Sequence, residues 1–167
     1  DDLFVKTAME SDHFLRHEPL EDVMLALTQS AWTLERWIEE DGIRSIEKEM
    51  KVAPGDLRTR IELMEWLLYS AGQLVINDEE VSAEAMSKVA ELVAFIDALK
   101  QRISHGCKAE MLPLVSIRNI GRARARDLMN LGLQNPAEIL ELTEVDRSRL
   151  LAIRGWGPRV LERIIRD

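Results

Sequence analysis

A chain of 167 residues has room for one domain or two small ones and can bury a substantial core. With 46% hydrophobic and 31% charged residues it has the make-up of a globular protein, and neither a bilayer-length apolar run nor a signal-peptide pattern is present, so no membrane partner is expected. One cysteine, Cys107, excludes an internal disulfide and suits a reducing cytoplasm, while a net charge of −8, taken globally, argues against nucleic acid.

Nearly every segment reads as helix. Residues 3–16 form a short amphipathic pattern in which His13 and His17 have the spacing of a helical metal pair. No third ligand follows, so they read as surface histidines and no metal is expected. Pro19 can occupy the first turn of a long helix to about Glu40, stopped by Gly42, and Ile43 to Met50 makes a short helix. Ala53-Pro54-Gly55 breaks the chain, and Asp56 is placed as the N-cap of a helix to about Ile76. Asn77 to Glu80 is polar and turn-like, and another long helix runs from about Val81 to His105-Gly106. The rhythm then changes to short helices at roughly 109–116, 122–131, 136–141, 146–152 and 158–166. The expected fold class is all-α, in two modules that meet near 106–109. The chain opens on Asp1-Asp2 without an initiator methionine and is expected to be a piece of something longer. None of its eight glycines heads a Gly-Lys-Ser/Thr triplet, so no nucleotide-hydrolysing loop and no catalytic residue are expected.

The charge is unevenly spread. Residues 1–100 carry 10 Lys/Arg against 22 Asp/Glu, a net −12, whereas residues 101–167 carry 12 against 8, a net +4. A basic working module joined to an acidic helical one follows. Within the basic part, Ile117 to Leu128 reads IRNIGRARARDL and Ile153 to Ile164 reads IRGWGPRVLERI, a partial echo. Asn119-Ile120-Gly121 and Gly155-Trp156-Gly157 place residues that tolerate positive φ where the chain must reverse tightly and open a helix. Unpaired N–H groups and the positive dipole end then point outward together, next to Arg122, Arg124 and Arg126, which suits a nucleic-acid phosphate. The bland alternative is a solvated helix after a tight turn. In the second copy Pro158 suits the first helical position, and its role is either packing against the first hairpin or secondary contact through Arg154 and Arg159.

On the helix after Asp56, the apolar stripe is Leu57, Ile61, Met64, Leu68, Ala71 and Val75. Trp66 lies almost opposite, with Thr59, Ser70 and Gln73 and with Leu63 at the margin. It either packs against another helix or offers a stacking platform for a base, with Arg58 and Arg60 about two turns earlier for the flanking phosphates. Trp32 and Trp37 read as core or interface residues. Glu39-Glu40-Asp41 and Asp78-Glu79-Glu80 read as solvated helix ends.

Gly55 to Ala71, GDLRTRIELMEWLLYSA, and His105 to Leu133, HGCKAEMLPLVSIRNIGRARARDLMNLGL, resemble the C-terminal part of the archaeal Hjm-type DNA helicases, Ski-two-like, HELQ-related members of superfamily two. The resemblance implies a ratchet-like helical domain over 1–107 and a small helix-hairpin-helix DNA-binding domain over 108–167. It implies that Trp66 stacks on a base, with Arg58 the first choice of basic partner, and that Arg122, Arg124 and Arg126 form an arginine-rich motif gripping the emerging strand. Asn119 stands where a hairpin glycine is usual. The function implied is that of a DNA-binding piece of an ATP-dependent 3′–5′ helicase acting at stalled replication forks. Motor domains elsewhere in the same protein would supply ATP and Mg²⁺ chemistry, and this piece would need no cofactor of its own. The competing class is a helical interaction module that docks a partner or restrains the motor.

Overall fold

The computed structural model describes residues 20–77 and 85–166; the pattern at 3–16, His13, His17 and the run from Asp78 to Glu80 lie outside them. Every regular element among the described residues is helical. In chain order these are α1 (Leu20–Ile38), α2 (Ile43–Met50), α3 (Pro54–Ile76), α4 (Met86–His105), a 3₁₀ turn (Ala109–Met111), α5 (Leu112–Val115), α6 (Arg122–Asn130), α7 (Pro136–Leu140), α8 (Glu144–Leu151) and α9 (Pro158–Arg166). The protein is all-α, as the periodicity implies.

Two expected boundaries shift for local reasons. Helix α3 starts at Pro54, whose fixed φ is already helical, and Asp56 lies inside it, its carboxylate accepting the Ala53 N–H at 3.2 Å. Helix α8 starts two residues earlier than expected because Thr143 caps it, its hydroxyl oxygen accepting the Asp146 N–H at 3.2 Å.

Helices α3 and α4 pair along their length. Gly72 faces Ile96, Tyr69 lies under the Lys100 ammonium, and Leu57 and Ser104 line one groove, so the pair is antiparallel. The predicted stripe faces inward: Leu57 is buried and Ile61, Met64, Leu68, Ala71 and Val75 are half-buried. Helix α1 crosses this pair, and Trp37 near its C-terminus packs against the buried Ile46, Met50 and Val52. The Trp37 indole N–H donates to the Ile103 carbonyl at 2.7 Å. Gly106, which ends α4 at φ +63, lies so close beneath that ring that a Cβ there would overlap it. Trp37 therefore meets the interface expectation. Trp32 is 56% exposed, lining an open groove between α1 and the end of α2 with Gln29, Met50 and Lys51.

The short helices close over a second core. Leu114, Ala125, Leu128, Ile139, Leu150 and Ile164 are essentially inaccessible, and Cys107 and Met111 belong to the same cluster. Burial, and then the nearby Glu40 charge, push the Cys107 thiol up to about 11, so it stays protonated as a small apolar packing element.

Candidate nucleic-acid interface

The two glycine turns have the same construction. In the first, the Ile120 N–H donates to the Ile117 carbonyl; in the second, the Trp156 N–H donates to the Ile153 carbonyl, both at 3.1 Å. Asn119 (φ +69) and Gly155 (φ +99) take the left-handed residue of each turn, so asparagine does adopt the backbone for which glycine is usual. Gly121 is not in that region. At φ −95 and ψ 176 it is the extended N-cap of α6, its carbonyl accepting the Ala125 N–H at 3.0 Å. Gly157 plays the same part before α9, accepting from Val160 and Leu161 at 2.9 and 3.1 Å. Between them, Ile120 and Trp156 are the buried anchors of their turns.

These turns open onto one cleft. Gly121, Arg122, Ala123, Arg124 and Asp127 form one wall and Arg154, Gly155 and Trp156 the other, around about 400 Å³. The Trp156 indole N–H donates to Asp127 at 2.9 Å and fastens the second turn to α6. Arg124 braces its own turn, donating to the Asn119 carbonyl at 2.7 Å, and its guanidinium lies 6.0 Å from the Trp156 ring centre. Arg154 and Arg159 are exposed. By helix geometry the N–H groups of Arg122, Ala123 and Arg124 have no acceptor within α6, so donors and cations share the concavity.

The other two arginines of the run point elsewhere. Arg122 stacks on Trp37, 4.0 Å from the ring centre, and donates to the Gly106 and Asp41 carbonyls at 3.3 and 3.4 Å. Burial lowers its pKa, but a guanidinium remains a cation under any ordinary condition. Arg126 makes a two-pronged pair with Glu40, Nε to Oε2 at 2.8 Å and Nη2 to Oε1 at 2.5 Å, and also reaches Glu110 at 3.1 Å. Burial pushes the Glu40 carboxyl up, but the Arg126 hydrogen bonds, the Lys108 N–H and both cationic charges bring it net below the ordinary range. Glu39 keeps the solvent exposure expected of a helix end, but Glu40 and Asp41 are partly covered and engaged. Glu39 pairs with Arg102 and Lys108, and Asp41 with Arg36.

On α3, Trp66 is 61% exposed, so the packed alternative is excluded within the described residues. Arg58 is also exposed and is held along the helix by Glu62 at 2.8 Å. Arg60 turns inward, donating to the buried Thr33 hydroxyl at 3.2 Å, which takes it off the Trp66 face.

Residues 2–106 match the sequence model of the family described as archaeal helicase, domain 4. The chain belongs to this archaeal helicase family. It is 31% identical over 83% of its length to the ATP-dependent DNA helicase Hel308 of Pyrococcus abyssi, and 34% identical over 83% to that of Pyrobaculum calidifontis. With the Thermoplasma acidophilum helicase of the same name it shares 29% identity over 97% of the chain. The chain spans between 18% and 22% of the length of these three relatives.

Within this archaeal helicase domain and the module that follows it, sequence reasoning missed the seat made by Trp37 and the acidic run. The available signal was a glutamate one step before Asp41-Gly42, at the left-handed end of a helix where glycine is the usual choice. Among the described residues no group of three His, Cys, Asp or Glu could hold a metal, and no helix is long and apolar enough to cross a membrane.

Proposed function

We propose that the chain is the strand-holding part of an ATP-dependent DNA helicase, binding single-stranded or 3′-tailed DNA with little sequence preference. The observation that carries this reading is the shared cleft, where two glycine turns bring Arg124, Arg154 and free helix-start N–H groups together. Asn119, Gly121, Gly155 and Gly157 shape it, Arg122 contributes its backbone N–H at the edge while its guanidinium stays on Trp37, and Arg159 lies just beyond. Trp66 is the stacking platform and Arg58 its phosphate partner. Stacking is worth roughly 1–3 kcal/mol per base, enough to hold a strand between steps without freezing it. The arginine and aromatic contacts act on any sequence, because they address phosphates and π-faces rather than base edges. ATP and Mg²⁺ belong to motor domains of a longer protein, for which the similarity to the Hel308 helicases is the support; action at stalled forks is part of the same proposal.

Fluorescence anisotropy with a 3′-tailed fork tests it. The protein binds, and replacing Arg124 and Arg154 together by Ala weakens binding at least about tenfold, through loss of two charge-assisted contacts. Undetectable binding, or binding indifferent to both changes, favours the docking module instead.

A further inference from the structure

The arginine run divides its labour, and the division depends on one carboxylate. Glu40 occupies the position just past α1 at φ +72, a left-handed conformation that glutamate disfavours and that glycine or asparagine would adopt without strain. Its side chain meets Arg126 with both oxygens, the geometry by which a guanidinium also takes a phosphate. Arg122 lands beside it on Trp37 and the Asp41 carbonyl, so two side chains of α6 clasp the end of α1. Glu40 is well covered, at 16% side-chain exposure, yet Arg126 keeps 34% of its own and reaches solvent past Glu110.

We propose that Glu40 is a positioning residue that seats the terminal module on α1 through Arg126, and that DNA phosphate and this carboxylate compete for the same guanidinium. The inference rests on the DNA-binding reading only for the identity of the competing anion. While the pair is closed, Arg126 contributes orientation and no strand contact; Arg124 and Arg154, which have no such carboxylate partner in the cleft wall, do the gripping. A purely structural pair gives a different result, since removing one partner of it would leave strand binding unchanged or weaker.

Anisotropy with a short oligothymidylate separates the two. Glu40→Gln gains one phosphate contact, tightening binding about fivefold at about 0.1 M salt and steepening the log–log salt slope by about 0.7. Glu141→Gln, exposed on the terminal module and equal in charge change, gives a much smaller effect. Adding Arg126→Gln to Glu40→Gln removes the gain, while Arg126→Gln alone leaves affinity near that of the unaltered protein. A Glu40→Gln protein that binds no tighter than Glu141→Gln, or a gain that survives Arg126→Gln, overturns the inference. If the unaltered chain binds no oligothymidylate, the DNA reading fails by itself. Elution of the same proteins from heparin then decides the competition, with Glu40→Gln alone expected to be retained to higher salt. Should Glu40→Gln lose its fold, the reversed pair E40R with R126E recovers the thermal midpoint lost by either single change; no recovery also overturns the inference.

Discussion

Gly106 is where one backbone requirement holds two parts of the protein together. Its φ of +63 is left-handed, and its α-carbon lies against the Trp37 ring, so a methyl group would be strained and would displace the indole. That indole also anchors Ile103 and supports the Arg122 guanidinium. Gly106→Ala should therefore lower the thermal midpoint by at least about 4 °C, from roughly 2 kcal/mol of strain and lost packing, measured by circular dichroism melting. Trp66 calls for the opposite experiment. Being exposed, it contributes little to stability, and Trp66→Ala should leave the midpoint within about 2 °C. The same change should weaken single-strand binding by about five- to 150-fold, the span expected for loss of one base stack. Loss of stability without loss of affinity would place Trp66 in the fold rather than on the strand.

Helix α6 works through three faces. Ala125 and Leu128 enter the core, Arg124 and Asp127 face the second turn, and Arg122 and Arg126 clasp α1. The link most specific to the cleft is the Trp156 hydrogen bond to Asp127. Trp156→Phe keeps an aromatic ring but removes part of the buried indole and strands an acceptor, which should cost about 2 kcal/mol in urea unfolding and loosen the cleft, weakening fork binding more than an equally destabilising core change. How legible these elements were depends on the range of the interaction. The turn of Asn119 and Gly121, the helix it opens and the inward stripe of α3 are set by neighbours within a turn or two of helix, and periodicity with glycine placement exposes them. Contacts across tens of residues leave no such periodic trace. Arg126 and Glu40 stand 86 positions apart, and Arg60 reaches Thr33 across 27, so a cluster of like charges gave no hint of which members were already engaged. Trp32 shows the same gap, since nothing local to α1 says that it lines an open groove beside α2 rather than a closed core.

At the scale of the whole molecule, charge governs both stability and binding. Three carboxylates are held below their ordinary value of 4.5. Glu40 is held there by Arg126 and Lys108 against the effect of burial, Glu49 by Arg36 and Ser45, and Glu138 by the Asn135 and Gln134 N–H groups. A carboxyl whose folded pKa is depressed contributes its stability above the unfolded value and loses it as pH falls through the folded one. Melting temperature should thus be flat near neutrality and fall between about pH 5 and about pH 3, more steeply than in Glu40→Gln. The net −8 of the chain conceals a net +4 from residue 101 onward, where the cleft offers Arg124 and Arg154, for which no carboxylate salt bridge is formed among the described residues. The most direct measurement of that claim is the salt dependence of affinity for a 3′-tailed fork between about 50 and about 200 mM salt. Three or more phosphate contacts predict a log–log slope of about −2 or steeper. A flat slope, or affinity that survives loss of Arg124 and Arg154 unchanged, would contradict the account.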